Sequence, residues 1–388
     1  MLRRTAGTAD CIMEAMEDRS WARRHWKLLL NVVTVAALAL LFYLIRHQVA
    51  DTFKNFEHIN GWMLALIIPV EVLNYHAQAR LYQRLFAIVG NKLPYWYLYK
   101  ASLELNFVNH VFPSGGVTGL SYFTLRLRQG KELSSGKATL IHVMKIALYF
   151  AAFEVVLIIG VFCLAATGRV NNLVMLVAGS ISTLLVVGTA IFLYVIGSKQ
   201  RINSFLLALT KLLNRLIHLV RPRSPETINL SQARRMFDDF HETYRQLKDN
   251  YQQLKVPFLY ALVADITEVL AIYVVYMAFG EWVNIGAVIL AYGIANFAGL
   301  VSVLPGGVGV YEALMTAVLA STGVRPGVSL PVTVMYRIVN TAIQIPPGYY
   351  LYNRALHRGE GPQVGVVEGE AENSRAGHDE TGDGDERS

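Results

Sequence analysis

Between positions 28 and 352 the chain alternates long apolar runs with short polar or basic loops. Runs of roughly 20 apolar residues are long enough to cross the hydrocarbon core of a bilayer as helices. Segments 28–45, 61–80, 138–166, 173–196, 256–279 and 329–352 are of this kind, which predicts about six spans. Two further apolar stretches, 94–112 and 284–303, run instead into Pro-Gly-Gly segments. Pro removes a backbone donor and Gly relaxes the φ restriction, so a helix should break at each.

The two breaks echo one another. The first contains Asn106-Phe107 and then Pro113-Ser114-Gly115-Gly116-Val117; the second contains Asn296-Phe297 and then Leu304-Pro305-Gly306-Gly307-Val308-Gly309-Val310-Tyr311-Glu312. In hydrocarbon a broken helix leaves amides and carbonyls unsatisfied, which is tolerated only where the break is buried in protein or lines a cavity. Matched breaks in corresponding halves point to a transporter-like site near the membrane midplane. Each half-helix that follows a break starts with free N–H groups and a positive dipole end, a place for an anionic head group.

Charge sets the expected topology. Arg3, Arg4, Arg19, Arg23, Arg24 and Lys27 precede the first run, and the first broken element is flanked by Arg80, Arg84 and Lys92 on one side and Arg126, Arg128, Lys131 and Lys137 on the other. The excess of Lys and Arg in cytoplasmic loops then places both termini in the cytoplasm and makes the first broken element a hairpin that enters and leaves from that side. The second is approached from outside. The expected architecture is an all-α polytopic membrane helix bundle, an inverted-topology repeat of about six spans and two re-entrant helical hairpins with halves 28–166 and 173–352. A plain eight-crossing arrangement differs only in whether each hairpin reaches the far side.

Composition agrees with a membrane location: 54% of residues are hydrophobic, 16% are charged and the mean hydropathy is +0.37, whereas soluble domains carry about 25% charged residues. The net charge of +7 is distributed by loop, with no basic face interleaved with aromatics, so nucleic acid is not an expected partner. Cys11 and Cys163 are too few for a disulfide framework or a metal cluster, and no metal or cofactor is expected. There is no P-loop, no G-x-S-x-G and no H-E-x-x-H motif.

Three flanking segments complete the organisation. Residues 1–27 form a basic cytoplasmic segment, and residues 354–388 an acidic, Gly- and Ser-containing tail expected to be disordered. Residues 198–255 form a cytoplasmic excursion. Within it Ile202, Leu206, Leu209, Leu213, Leu216 and Val220 share one helical face, and Phe237, Phe240, Tyr244, Leu247, Tyr251 and Leu254 form a narrow seam, with Ser224-Pro225 as N-cap and N1. A helical hairpin at the membrane surface is expected there, a candidate docking place for a cytoplasmic enzyme.

Ionisable groups inside spans are costly and point to function, with structural pairing as the competing explanation. Glu71, Asn74 and Gln78 share a face of the second span, His142 and Lys145 of the third, Asp265 and Glu268 of the fifth, and Arg337, Asn340 and Gln344 of the last. Lys145 and Arg337 are the cations placed to meet a phosphate; Asp265, Glu268 and Glu312 are the counter-charges. Glu312, in the first turn of its half-helix, is placed to bridge to Arg337.

Pro113-Ser114-Gly115-Gly116 followed by Arg126, then the segment from Leu304 to Glu312, then Tyr336-Arg337, resemble the motif series of the lysylphosphatidylglycerol synthase transmembrane-region family, the flippase-like membrane domain of the multiple peptide resistance factor. The resemblance covers residues 28–352. It implies a bacterial or archaeal inner-membrane protein handling a phospholipid, anionic, zwitterionic or aminoacylated. Bifunctional relatives carry a soluble aminoacyltransferase domain, which this chain is expected to lack, so lysyl transfer is not expected of it. The candidate substrate contacts are Asn106, Pro113, Gly115, Gly116, Arg126, Lys145, Asp265, Glu268, Asn296, Pro305, Gly306, Gly307, Gly309, Glu312, Tyr336 and Arg337. Lipid translocation is the leading expectation, as a single chain or a homo-oligomer; a membrane-embedded lipid transferase and a scaffold recruiting a cytoplasmic enzyme are the rivals.

Overall fold

A computed structural model describes residues 59–111, 117–131, 133–198, 200–201, 204, 242–301 and 309–358. The expected first span at 28–45, the tips of both breaks, the apolar face from Ile202 to Val220, the Ser224-Pro225 cap, Phe237, Phe240 and residues 359–388 lie outside the described residues. Among the described residues ten α-helices are delimited and there is no strand. In order they are α1 (Gly61–Ala65), α2 (Ile67–Ile88), α3 (Tyr95–Val111), α4 (Val117–Lys131), α5 (Ser135–Ala166), α6 (Asn172–Ile196), α7 (Lys255–Ala278), α8 (Ile285–Val301), α9 (Val310–Ser321) and α10 (Pro326–His357).

Local sequence accounts for the helix starts. The Asn60 side chain accepts hydrogen bonds from the amides of Trp62 and Met63 ahead of α1, Ser134 accepts one from Lys137 N at 3.3 Å ahead of α5, and Asn171 accepts one from Val174 N at 2.8 Å ahead of α6. Pro326 opens α10, where its missing donor costs nothing. The same helix then runs through Pro331, Pro346 and Pro347 and on to His357, beyond the point where the tail was expected to start. Tyr352 and Leu356 hold that last turn by packing on Phe107, Val108 and Val111 of α3. Arg354 places positive charge at its C-terminal end.

Three helical stretches among the described residues are long and apolar enough to cross a membrane: α5, Asn172–Val195 in α6, and Tyr251–Ala278 in and just before α7. With 22 and 32 residues α2 and α10 are long enough, but they carry the polar stripes and are less apolar. The order of lengths recurs: α2 to α5 have 22, 17, 15 and 32 residues, and α7 to α10 have 24, 17, 12 and 32. Packing follows the same order. α2 lies along α7, α3 along α10, and α8 along α5.

Helices end on both sides of the two Pro-Gly-Gly segments, α3 at Val111 with α4 resuming at Val117, and α8 at Val301 with α9 resuming at Val310. Each pair folds back on itself. Tyr97 near the start of α3 donates through its hydroxyl to the Arg126 carbonyl in α4 at 2.9 Å, and Arg325 after α9 pairs with Glu281 before α8 at 2.9 Å. At 1.5 Å per residue the 17 residues of α3 or α8 reach about 26 Å, short of the ~30 Å hydrocarbon core.

The loops gather at two ends. At one, Lys137 Nζ donates to Asn91 at 3.0 Å; Lys92 adjoins Asn91, and Arg128 and Lys255 adjoin Leu127 and Leu254, which pack in the same cluster. Of the expected seam, Tyr244, Leu247 and Leu254 pack onto the bundle there, and Tyr251 is exposed. At the other end Asn171 reaches the Ser321 carbonyl at 2.8 Å, Arg169 the Thr322 carbonyl at 3.2 Å and Asn284 the Cys163 carbonyl at 3.0 Å. Basic side chains concentrate at the first end.

Close approach of α5 and α8 depends on glycine. A Cβ at Gly286 would collide with the Gly160 carbonyl oxygen, and one at Gly160 would lie 2.9 Å from the Ile289 side chain. Gly179 on α6 has nothing within 4 Å of its missing Cβ. Overpacking at a helix crossing costs about 1–3 kcal/mol or more. Gly286→Val is therefore expected to lower the unfolding midpoint in detergent clearly, with Gly179→Val close to wild type; thermal unfolding followed by size-exclusion chromatography compares the two.

Candidate functional site

The polar stripes of α2, α7 and α10 face one another and join into a single hydrogen-bonded network. Asn74 of α2 is its hub, with Nδ2 at 3.0 Å from the Ala264 carbonyl oxygen, 2.9 Å from Thr267 Oγ1 and 3.3 Å from Glu268 Oε1, all on α7. Its Oδ1 accepts from Gln78 Nε2 at 2.7 Å, and Gln78 Oε1 accepts from Lys145 Nζ of α5 at 2.9 Å. On the other side Tyr336 of α10 donates to Glu268 Oε2 at 3.2 Å and accepts from Asn340 at 3.2 Å. Gln344 Nε2 then donates to Asn340 Oδ1 at 2.6 Å and to Glu71 Oε2 at 3.0 Å. Gln344 Oε1 accepts from Asn106 Nδ2 of α3 at 2.6 Å, and Asn106 also donates to Tyr75. The chain of bonds thus runs from Lys145 to Asn106 through five helices.

Helical spacing explains why. Positions 71, 74 and 78 share a face of α2, and 336, 340 and 344 share a face of α10, so one rotation of each helix turns three polar groups into the same network. Arg337, expected on the stripe with Asn340 and Gln344, turns instead toward α9.

There Arg337 Nη1 pairs with Glu312 Oε1, and Glu312 Oε2 accepts the Gly309 amide at 2.7 Å. Gly309 has φ +88°, a conformation that L side chains rarely adopt, and α9 starts at the next residue. The positive end of the half-helix is thus occupied by its own carboxylate, which in turn holds the cation. The Arg337 guanidinium also lies 5.2 Å from the centroid of the Tyr311 ring. The side chain of Arg337 is 20% exposed and that of Glu312 is 4% exposed. His110, the penultimate residue of α3, is within electrostatic range of Arg337, so the approach to the first break comes close to the start of the second half-helix.

Lys145 is buried, with its ammonium 5.0 Å and 4.9 Å from the ring centroids of Tyr82 and Tyr149. Asp265 and Glu268 lie within electrostatic range, yet the hydrogen bond of the ammonium goes to Gln78. Oδ2 of Asp265 is buried without a hydrogen-bond partner. His142 pairs through Nδ1 with the Tyr82 hydroxyl at 2.7 Å, an interhelical bond. Asn296 bonds Tyr292 on its own helix α8.

Of the sequence candidates, the structure joins Asn106, Lys145, Glu268 and Tyr336 in the network, sets Asp265 beside it, and pairs Glu312 with Gly309 and Arg337. Arg126 goes elsewhere: its Nε bonds Glu104 Oε2 at 2.9 Å, an oxygen shared with the Tyr122 hydroxyl at 2.8 Å, and its guanidinium lies 5.1 Å from the Tyr97 ring centroid. Pro113, Gly115, Gly116, Pro305, Gly306 and Gly307 lie outside the described residues. Glu104 is a buried partner that was not singled out, although an acid inside the apolar segment before the first break carries the same signal as Glu71. Tyr75 and Tyr82 give no polar periodicity and are evident only in the folded chain.

The family described as "Lysylphosphatidylglycerol synthase TM region" matches residues 28–348. A UPF0104 membrane protein of Methanothermobacter thermautotrophicus is 22% identical over 327 residues, covering 82% of this chain and 92% of the relative. A shorter alignment to a UPF0104 membrane protein of the same organism is 33% identical over 97 residues, 25% of this chain and 29% of the relative. A UPF0104 membrane protein of Pyrococcus horikoshii is 24% identical over 102 residues, 26% of this chain and 30% of the relative. In the two shorter alignments the chain spans less than a third of each relative's own length. With apolar helices of spanning length and a family match over most of its residues, the chain belongs to the lysylphosphatidylglycerol synthase transmembrane-region family of membrane proteins.

Proposed function

We propose that this membrane protein is a lipid translocase, passing a phospholipid head group between leaflets while the acyl chains stay in the bilayer. The observation that carries this reading is the convergence of both broken elements on α10, the helix that also lines the buried polar network. Asn106, before the first break, bonds Gln344, and Glu312, after the second, bonds Arg337 seven residues earlier on the same helix α10. Arms too short to reach across the hydrocarbon, folded back from opposite ends of the bundle, fit two hairpins meeting near the midplane. The recurring order of helix lengths supports an inverted repeat with each half as one rocking unit. Head-group phosphate would meet Arg337, which is partly exposed and needs only to exchange one carboxylate for another anion.

The test is head-group accessibility in reconstituted vesicles, with fluorescent phosphatidylglycerol, phosphatidylethanolamine and lysyl-phosphatidylglycerol. Wild type is expected to move one of these between leaflets. A charge-assisted hydrogen bond contributes about 1.5–3 kcal/mol, so Arg337→Ala, confirmed as folded by size-exclusion chromatography, is expected to slow that movement about tenfold or more. Equal rates in the two proteins would remove Arg337 from the path. A probe that is chemically altered and does not move would establish the lipid-transferase reading instead.

The concentration of Lys and Arg at one end of the bundle favours that end as cytoplasmic. In a background carrying Cys11→Ser and Cys163→Ser, Lys92→Cys is expected to react with an impermeant maleimide only from the cytoplasmic side of the membrane and Glu281→Cys only from the opposite side. The reverse pattern would invert the topology.

A further inference from the structure

We propose that Asp265, Glu268 and Glu71, with Lys145, form a proton-binding site that couples lipid movement to a transmembrane proton gradient; the inference rests on the translocase reading and names its energy source. Three carboxyl groups lie within electrostatic range along the contact of α2 and α7: Glu71 with Glu268, and Glu268 with Asp265. The buried cation of the cluster is Lys145. Arg337 is engaged by Glu312. If all three acids were ionised, the cluster would hold two uncompensated negative charges away from water, an arrangement that costs several kcal/mol per ion. Neutralisation therefore has to come from a bound ion.

The choice of ion follows from the geometry. Among the described residues no group of three His, Cys, Asp or Glu side chains converges as metal ligands. The acids are spread along the network instead, two of them hydrogen-bonded within it: Glu71 to Gln344, and Glu268 to Asn74 and Tyr336. Asp265 supplies a separate observation. It is 6% exposed and its Oδ2 is buried without a hydrogen-bond partner, a polar atom that nothing in the protein satisfies.

Apart from Lys145, and the Arg337–Glu312 pair beside Tyr311, the titratable groups facing the site are tyrosines and one histidine. From α2 they are Tyr75 and Tyr82, from α5 Tyr149 and, through Tyr82, His142. From α8, α9 and α10 they are Tyr292, Tyr311 and Tyr336. α1, which also packs on α7, carries no ionisable side chain, and Tyr251 before α7 is exposed. Proton arrival neutralises a carboxylate; proton departure leaves Lys145 as its only close counter-charge and changes the attraction between α5 and α7. A change of that kind biases one packing of the two halves over the other.

The experiment uses the full chain in vesicles of phosphatidylcholine and phosphatidylglycerol, with the membrane potential clamped and the same three fluorescent lipids as probes. With one proton coupled per lipid, a gradient of one pH unit is expected to shift the steady-state leaflet ratio of the transported probe by up to about tenfold. Asp265→Asn is expected to lose that shift and Glu268→Gln to reduce it; an Asp265→Asn protein that responds to the gradient as wild type does overturns the proposed site. Should wild type move the probe to the same leaflet ratio with and without the gradient, the coupling is wrong and the translocase reading stands. A probe that stays in its leaflet under every condition overturns the translocase reading and the coupling with it.

Discussion

A polar side chain inside hydrocarbon must find its partner within the protein, and that requirement sets the arrangement of this bundle. Association of apolar faces cannot do so alone, because lipid tails are as apolar as the leucines and valines they would replace. Specificity falls to the groups that lipid cannot satisfy. Asn74 meets a carbonyl, a hydroxyl and a carboxylate on α7 at 3.0, 2.9 and 3.3 Å, so rotating α2 by one residue would leave all three without it. Gly160 and Gly286 act alongside, setting how closely α5 and α8 approach. The large apolar clusters then fill the space those contacts define.

Much of this was legible in the sequence, for a definite reason. Faces are a property of one helix, and helical spacing reveals them: positions 71, 74 and 78 do form the inward stripe of α2. Helix ends at the Pro-Gly-Gly segments were legible too, since the missing donor and relaxed φ are local. Partner choice was not, because it depends on where a neighbouring helix stands. Lys145, placed to meet a phosphate with carboxylate pairing as the competing reading, hydrogen-bonds Gln78. Arg337 was assigned to the stripe of Asn340, but residues 336, 340 and 344 make the stripe; its bridge to Glu312 was expected and is present. Glu104 lies in an otherwise apolar segment, and its role appears only when α4 folds back to place Arg126 beside it.

The two broken elements are tied down by ion pairs of opposite sense. After the first break the arm α4 carries the cation, Arg126, and its carboxylate stands on the preceding arm α3. After the second break the arm α9 carries the carboxylate, Glu312, and its cation stands on the following helix α10. The consequence for each element differs. Arg126 and Glu104 lock a hairpin to itself, and Tyr97 and Tyr122 from the same two helices complete the enclosure. Glu312 and Arg337 instead tie a half-helix to a neighbour that also carries Tyr336, Asn340 and Gln344, and therefore to the network.

Exposure separates the two pairs in what they can do. The side chains of Arg126 and Glu104 are 7% and 2% exposed, so withdrawing either leaves the other charge uncompensated away from water, at a cost of about 3–5 kcal/mol. Such a pair fixes structure. Arg337 is 20% exposed, and the carboxylate it would release still accepts the Gly309 amide at the positive end of α9. An incoming anion can then replace Glu312 on the guanidinium while Glu312 keeps a backbone donor, so neither charge is stranded. Burial alone would rank the first pair higher as a functional site; the exposure of Arg337, which lets an anion reach the guanidinium, favours the second.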